Sequence, residues 1–250
     1  MSAGTNGYAV DFHVHTWHSF DSLTPPKMAI EMARRRGLAG IAITDHDTIA
    51  GAVATCDANV YNDFLVIPGI EVKSDLGDVI GLYLSRDVKS RAFADVIAEI
   101  QEQGGLAYLP HPIRTFGMTR VAQIHNLYPQ LDLWELYNGR YDATEFAQAE
   151  ASFAQLGIRG PLAGSDAHFP WELGLLQTVF TSLPREPLAL LAQKPTLRLR
   201  ARVRGEIARR AGLRLGAAIK AYKRRQYGKL APMLLTLPWK ALRRIIVSHG

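Results

Sequence analysis

Two histidines two positions apart, His13 and His15, are the first residues in the chain whose spacing can do chemistry. On a strand, residues i and i+2 project from the same face, so both imidazoles point one way. Two neutral imidazoles converging on one spot suit a borderline divalent cation such as Zn²⁺, Mn²⁺ or Fe²⁺. Asp21 follows after a short turn and adds a hard oxygen donor. More donors recur further on: His46 after Asp45, Glu71 after Pro-Gly-Ile, Asp78, His111 between two prolines, Asp166 and His168. Five of the eight histidines fall in this set, so the histidine content is concentrated where cations could be held. One HxH arises often by chance. An HxH, a DH, a PGIE, an HP and a DxH, each just after an expected strand, is a far more specific signal.

The elements that must position these residues read as follows. Residues 8–15 form a strand that runs into the HxH. Further strands are expected at 38–43, 64–68, 78–84, 106–109, 131–136 and 161–163, with one more at 179–183. Helices are expected at 27–36, 49–60, 90–103 and 142–156. Residues 90–103 place Phe93, Val96, Ile97 and Ile100 on one side of a helix. Thr24 reads as a helix N-cap before Pro25 and Pro26, and Gly37 as the matching C-cap. Strands alternating with helices argue a mostly parallel α/β sheet. The donors sit after the C-terminal ends of successive strands, which in a β/α barrel is the catalytic face. Seven or so such units suggest a barrel over an open sheet.

Charge divides the chain. Residues 185–250 hold 17 Lys and Arg against 2 Asp and Glu, whereas residues 1–184 hold 12 against 21. An acidic body suits cations, and a basic tail suits a polyanionic partner. The boundary falls near residue 195, giving a barrel over 1–195 and a basic amphipathic helical tail over 196–250. Three readings of the tail stand side by side: docking on the acidic barrel, contact with nucleic acid phosphates, or rest on an anionic membrane through Trp239 and its neighbouring leucines. Cys56 is the only cysteine, so an intrachain disulfide is excluded. No stretch approaches the roughly 20 apolar residues of a spanning helix, and residues 1–7 lack the pattern of a signal peptide. The expected location is cytoplasmic, with peripheral membrane association open through the tail.

The segments DFHVHTWHSFDS, TDHDT, PGIEV, GDVIGLYL, LPHPIR, ELYNGR and GSDAH, spread over roughly residues 8–183, resemble the PHP (polymerase and histidinol phosphatase) superfamily. They are most similar to its stand-alone metal-dependent phosphoesterases. The resemblance implies a distorted (β/α)₇ barrel, here with a basic C-terminal helical extension, and two or three divalent ions, Mn²⁺, Fe²⁺ or Zn²⁺. It implies that His13, His15, Glu71 and Asp166 hold a first ion. Glu71 would bridge to a second ion with His111, and Asp21, His46 and His168 would hold a third. Many relatives have a histidine where this chain has Asp78, whose carboxylate can also ligate. Asp45 and Asp47 read as supporting or capping residues, and His18 as supporting a ligand or solvent-facing. Arg114 could clamp a phosphate oxygen, and Asn138 and Arg140 could face the substrate. The implied activity is hydrolysis of a phosphomonoester or nucleotide-type phosphodiester by a metal-bound hydroxide. The alternative is a catalytically inactive PHP-like binding module, tethered to nucleic acid or an anionic membrane through its tail.

Overall fold

The computed structural model describes residues 7–158 and 160–199, together with Ile219, Tyr222 and Lys223. In chain order the elements are β1 (Tyr8–Val14), α1 (Pro26–Arg35), β2 (Gly40–Ile43), α2 (Ala50–Ala58), β3 (Leu65–Lys73), β4 (Asp78–Leu82), α3 (Phe93–Glu102) and β5 (Leu106–Leu109). They continue with α4 (Pro112–Leu127), β6 (Leu133–Asn138), α5 (Ala143–Leu156), β7 (Leu162–Gly164), β8 (Leu176–Phe180), α6 (Pro187–Leu191) and β9 (Thr196–Leu199).

The strands form one sheet in the order β7-β6-β5-β4-β3-β2-β1-β8-β9. It curls into an almost closed barrel. The His15 N–H donates to the Ala167 carbonyl at 2.9 Å, just beyond β7. Thr178 of β8 reaches β7 from the other side, its Oγ1 accepting from the Ala163 N–H at 2.9 Å. Pairing is parallel except around β4 and β8, each of which is antiparallel to both neighbours. The expected mostly parallel sheet is therefore a mixed one. For β4 the cause is local: only Ser74–Gly77 separate it from β3, and Ser74 closes that turn by donating its N–H to the Gly77 carbonyl at 3.0 Å. So short a link leaves no room for a crossover.

Two apolar clusters hold the fold. One mixes strand residues with helix residues such as Ile30, Phe93, Ile100 and Phe153, and lies between the sheet and its helices. The other comes from strands all round the sheet, including Phe12, Ile67, Ile80, Leu82 and Tyr108, and fills the barrel interior, with Leu190 of α6 added. Phe12 and Ile67 are fully buried, each worth about 1.5–3 kcal/mol.

Three local features differ from expectation. The cap of α1 is Pro25, without a side-chain bond, and the Thr24 hydroxyl donates to the His168 carbonyl instead. Helix α4 was not expected over its length, because Gly117, at φ +69°, interrupts it with a kink. Strand β9 pairs with β8 as far as Leu199, so the sheet runs past residue 195. Of the basic extension, expected to be helical, Thr196–Leu199 are strand β9, Ile219, Tyr222 and Lys223 are helical, and the remainder lies outside the described residues.

Candidate metal centre

The register of β1 against β2 shifts between Asp11 and Val14. This irregularity falls at the HxH, where a bulge can re-aim side chains. His13 and His15 are both fully buried, with their Nε2 atoms 3.1 Å apart. Glu71 Oε2 lies 3.3 Å from each of them. Asp166 Oδ1 lies 3.8 Å from His13 Nε2 and 3.5 Å from His15 Nε2. The other Glu71 oxygen, Oε1, is 3.2 Å from His111 Nε2. His46 spans the centre: Nδ1 is 3.2 Å from Glu71 Oε2 and Nε2 is 3.4 Å from Asp21 Oδ2. His168 Nε2 is 3.2 Å from Asp21 Oδ1.

Donor atoms of these residues fall into three groups whose members lie within 4.8 Å of one another: His13, His15 and Glu71; Glu71, Asp78 and His111; and His15, Asp21, His46 and His168. Glu71 belongs to two groups and so does His15. The three groups hold eight of the nine candidate ligands, and Asp166 joins them through His13 and His15, so all nine lie at one mouth of the barrel, where β1, β2, β3, β5 and β7 open. Asp78 stands at the start of β4, paired with Lys73, two positions along the ladder from the Glu71–Ile80 pair.

The residues fit divalent cations. Bonds of about 2.0–2.1 Å to a shared ion place neighbouring donors about 3.0–3.5 Å apart, which is the spacing seen. Among the described residues Asp21 Oδ1 is buried and accepts no hydrogen bond, although it points at His168. Nearly every histidine has its far nitrogen engaged. His13 Nδ1 is 3.3 Å from Glu135 Oε1, His15 Nδ1 is 3.1 Å from Ser19 Oγ, His111 Nδ1 is 2.9 Å from Thr115 Oγ1, and His168 Nδ1 is 3.0 Å from the Asp166 carbonyl. A carboxylate only accepts, so His13 Nδ1 carries the proton and its Nε2 keeps its lone pair for an ion; the hydroxyls beside His15 and His111 can donate or accept, and His168 Nδ1 also meets the donating Arg140 Nη2 at 3.0 Å.

Electrostatics follow from this crowding. Burial disfavours the Glu71 charge, yet His46, His13 and His111 outweigh it and hold Glu71 well below the usual carboxylate range. Asp166 is held down in the same way, by His13, His15 and His168. Burial pushes His46 down, but Glu71 and Asp21 raise it to about 9. Burial, together with the neighbouring His168, lowers His15 to about 3. Burial beside Glu71 raises Asp78. His46 thus carries a proton at neutral pH in a position that a cation would take.

The family now follows. The PHP domain model matches residues 11–158, and a PHP-associated model matches residues 144–193. The chain belongs to the PHP domain family. Among curated proteins, an uncharacterized protein of Methanocaldococcus jannaschii, MJ1587, is 36% identical over 139 residues, covering 51% of this chain and 80% of that one. A second from the same organism, MJ0417, is 27% identical over 197 residues, covering 76% and 78%. The error-prone DNA polymerase of Mycobacterium bovis is 34% identical over 70 residues, 28% of this chain and 6% of the polymerase.

Solved structures show the same PHP fold at low identity. A two-domain protein of Bacteroides vulgatus, containing a predicted PHP-like metal-dependent phosphoesterase, superposes with TM-score 0.62 at 17% identity. The match covers 77% of this chain and 64% of that one, so this chain spans less than two thirds of that protein. PsfC of Pseudomonas syringae gives 0.56 at 17% identity, covering 89% and 100%.

Three residues of this PHP domain expected on the substrate are placed otherwise. Arg114 spans the Glu145 carboxylate, Nε to Oε1 at 2.9 Å and Nη2 to Oε2 at 2.6 Å, and also reaches the Arg140 carbonyl. The first turn of α4 aims the guanidinium at the start of α5, so the fork expected to clamp a phosphate is filled by a carboxylate. Asn138 is fully buried. Its Nδ2 donates to Glu135 Oε2 at 2.8 Å and lies 3.5 Å from Asp166 Oδ2. Arg140 lies behind the centre, its Nη2 donating to the Asp166 carbonyl at 2.8 Å and to Glu172 Oε2 at 3.0 Å. Asp45 accepts from the Thr16 N–H and hydroxyl, both at 2.6 Å, and so ties the metal loop to β2. His18 is exposed.

Sequence reasoning missed Glu135. It is fully buried and accepts from four groups: His13 Nδ1, the Tyr108 hydroxyl at 3.0 Å, the His111 N–H at 2.7 Å and Asn138 Nδ2. The available signal was a lone carboxylate inside the apolar run Leu133-Trp134-Glu135-Leu136. It missed Asp11 as well, which accepts from the Ser165 and Gly174 N–H groups at 2.8 Å each and which burial raises to about 6. The backbones of His111 and Asp166 adopt positive φ, 33° and 52°, a costly conformation for such residues that concentrates at functional sites.

Proposed function

We propose that this PHP domain is a metal-dependent phosphoesterase that acts on a phosphomonoester or a nucleotide-type phosphodiester. The observation that carries the reading is the overlap of three donor groups at one barrel mouth, joined through Glu71 and His15. Two or three ions, Mn²⁺, Fe²⁺ or Zn²⁺, would be held there by His13, His15, Glu71 and Asp166, by Glu71, Asp78 and His111, and by Asp21, His46 and His168. Such ions supply neutralisation of phosphate charge and lower the pKa of a coordinated water from 15.7 to about 7.

The chain's own residues do the rest. Glu135 holds His13 in one tautomer and anchors the strained turn at His111 through its N–H. Ser19 Oγ also accepts from the His46 N–H at 2.9 Å, so one hydroxyl orients both His15 and His46. Arg140, paired with Glu172, fixes the backbone between Asp166 and His168. Charge neutralisation at the substrate falls to the ions, because Arg114 is engaged by Glu145. The complete donor set speaks against an inactive binding module, since a relic has no reason to retain every ligand together with its supporting bonds.

The test is a screen of nucleotides, sugar phosphates, short oligonucleotides and p-nitrophenyl phosphate with Mn²⁺ supplied, beside metal analysis of chelator-free protein. Activity abolished in His13→Ala and Glu71→Gln supports the reading. Fewer than one metal per chain and no turnover with Mn²⁺ on any of these esters sinks it.

A further inference from the structure

The loop between β1 and α1 carries Ser19 and Asp21, and three of its backbone carbonyls converge on one point. Lys223 occupies that point. Its Nζ donates to the carbonyls of Trp17 at 2.7 Å, Ser19 at 2.6 Å and Ser22 at 2.7 Å. An ammonium has three donors and no acceptor, so its hydrogen-bonding capacity is filled. Ile219, four residues earlier, is buried. The basic tail therefore touches the barrel next to the candidate metal centre. The other bonds of the loop use different atoms: the Trp17 N–H donates to the Thr24 carbonyl at 2.9 Å, and Ser22 Oγ donates to the His15 carbonyl at 3.0 Å.

We propose that Lys223 is a positioning residue, whose ammonium staples the loop so that Asp21 meets His46 and His168 with the geometry a cation requires. The inference rests on the reading of those three residues as ligands. Without the ammonium, three carbonyl dipoles face one another unscreened, and the loop opens to hydrate them. Asp21 then moves, and Ser19 Oγ leaves His15 and His46. The Glu71, Asp78 and His111 group is carried by strands and by the start of α4, so it does not share this dependence. Arginine is a poor substitute, because its planar fork cannot direct three N–H groups to carbonyls gathered about a point.

The experiment uses the full chain as wild type, Lys223→Met, Lys223→Arg and Asp21→Asn. Free Mn²⁺ is followed by electron paramagnetic resonance during titration, and amide exchange of residues 17–22 is measured without metal. Lys223→Met is expected to weaken one Mn²⁺ by about ten-fold or more and to leave the remainder unchanged. Asp21→Asn weakens the same one. Loop exchange in Lys223→Met rises by about ten-fold, and Lys223→Arg recovers only part of both effects. Unchanged Mn²⁺ binding in Lys223→Met beside a loss in Asp21→Asn overturns the role of Lys223 and leaves the ligand reading intact. Unchanged binding in Asp21→Asn overturns the ligand reading, and the proposal with it, even where loop exchange accelerates.

Discussion

Replacing Glu135 by glutamine tests how the centre is held. The side chains are almost the same size, so nothing is repacked, but one accepting oxygen becomes a donating NH₂. Every partner of Glu135 donates, so the new NH₂ meets a donor wherever it lies. Placed at the Oε2 position it faces the His111 N–H, which cannot turn, and Asn138 Nδ2. The Asn138 amide is locked because its Oδ1 accepts from the Arg140 N–H at 2.7 Å. Placed at the Oε1 position it faces the Tyr108 hydroxyl, which can rotate, and His13 Nδ1, which can give up its proton. The second arrangement costs less. It moves the imidazole proton of His13 to Nε2, the atom that faces His15 and Glu71. Changes to groups that orient ligating histidines typically cost 10–100-fold in metal affinity, which is about 1.4–2.7 kcal/mol. Glu135→Ala is less informative, because four buried donors lose their acceptor at about 1–3 kcal/mol each, against a typical domain stability of about 5–15 kcal/mol. The assay is calorimetric titration of metal-free protein with Mn²⁺, with circular dichroism to confirm the fold. A folded Glu135→Gln protein that binds Mn²⁺ within two-fold of wild type refutes this account of the His13 tautomer.

Three further outcomes are expected. Asp78→Ala should lower the bound Mn²⁺ by one per chain while the His13 and His15 group stays filled; an unchanged count by metal analysis removes Asp78 from the ligands. Metal-free protein should be most stable near pH 6.5. His15, held at about 3, favours folding more strongly as pH rises towards the ordinary histidine value of about 6.5, whereas the stabilisation from His46 is complete below that value and is lost as pH rises through about 9. Thermal melts in EDTA across pH 4–10 check this, and a maximum at pH 9 contradicts it. Gly164→Ala should lower Tm by about 5 °C or more, because its methyl would collide with Glu135 Oε1 and the His13 Cβ, both on strands that cannot retreat; a melt within 1 °C of wild type contradicts that packing.

Most candidate donors were legible because they sit in short fixed words near strand ends, although Asp78 opens β4. His13 and His15 share a face by strand periodicity, and His46, Glu71, His111 and Asp166 each follow an apolar run. The supporting residues were not legible, because their roles exist only in three dimensions. Glu135 meets His13 across 122 positions, and Lys223 meets Trp17 across 206. Arg114 misled for the converse reason: two residues after a proline flanking His111, it reads as part of the mouth, yet the helical turn carries it to Glu145. The mixed sheet was hidden because alternation of strands and helices says nothing about direction, and only the four-residue Ser74–Gly77 link betrays that β4 turns back.

The sharing of His15 and Glu71 between donor groups has a consequence for how the centre would fill. An ion entering one group polarises and pins a side chain that the next group also needs, while its charge repels the next arrival. Loading would then follow an order, each later ion binding more weakly than the one before, so that a stepwise Mn²⁺ titration would resolve the ions one at a time.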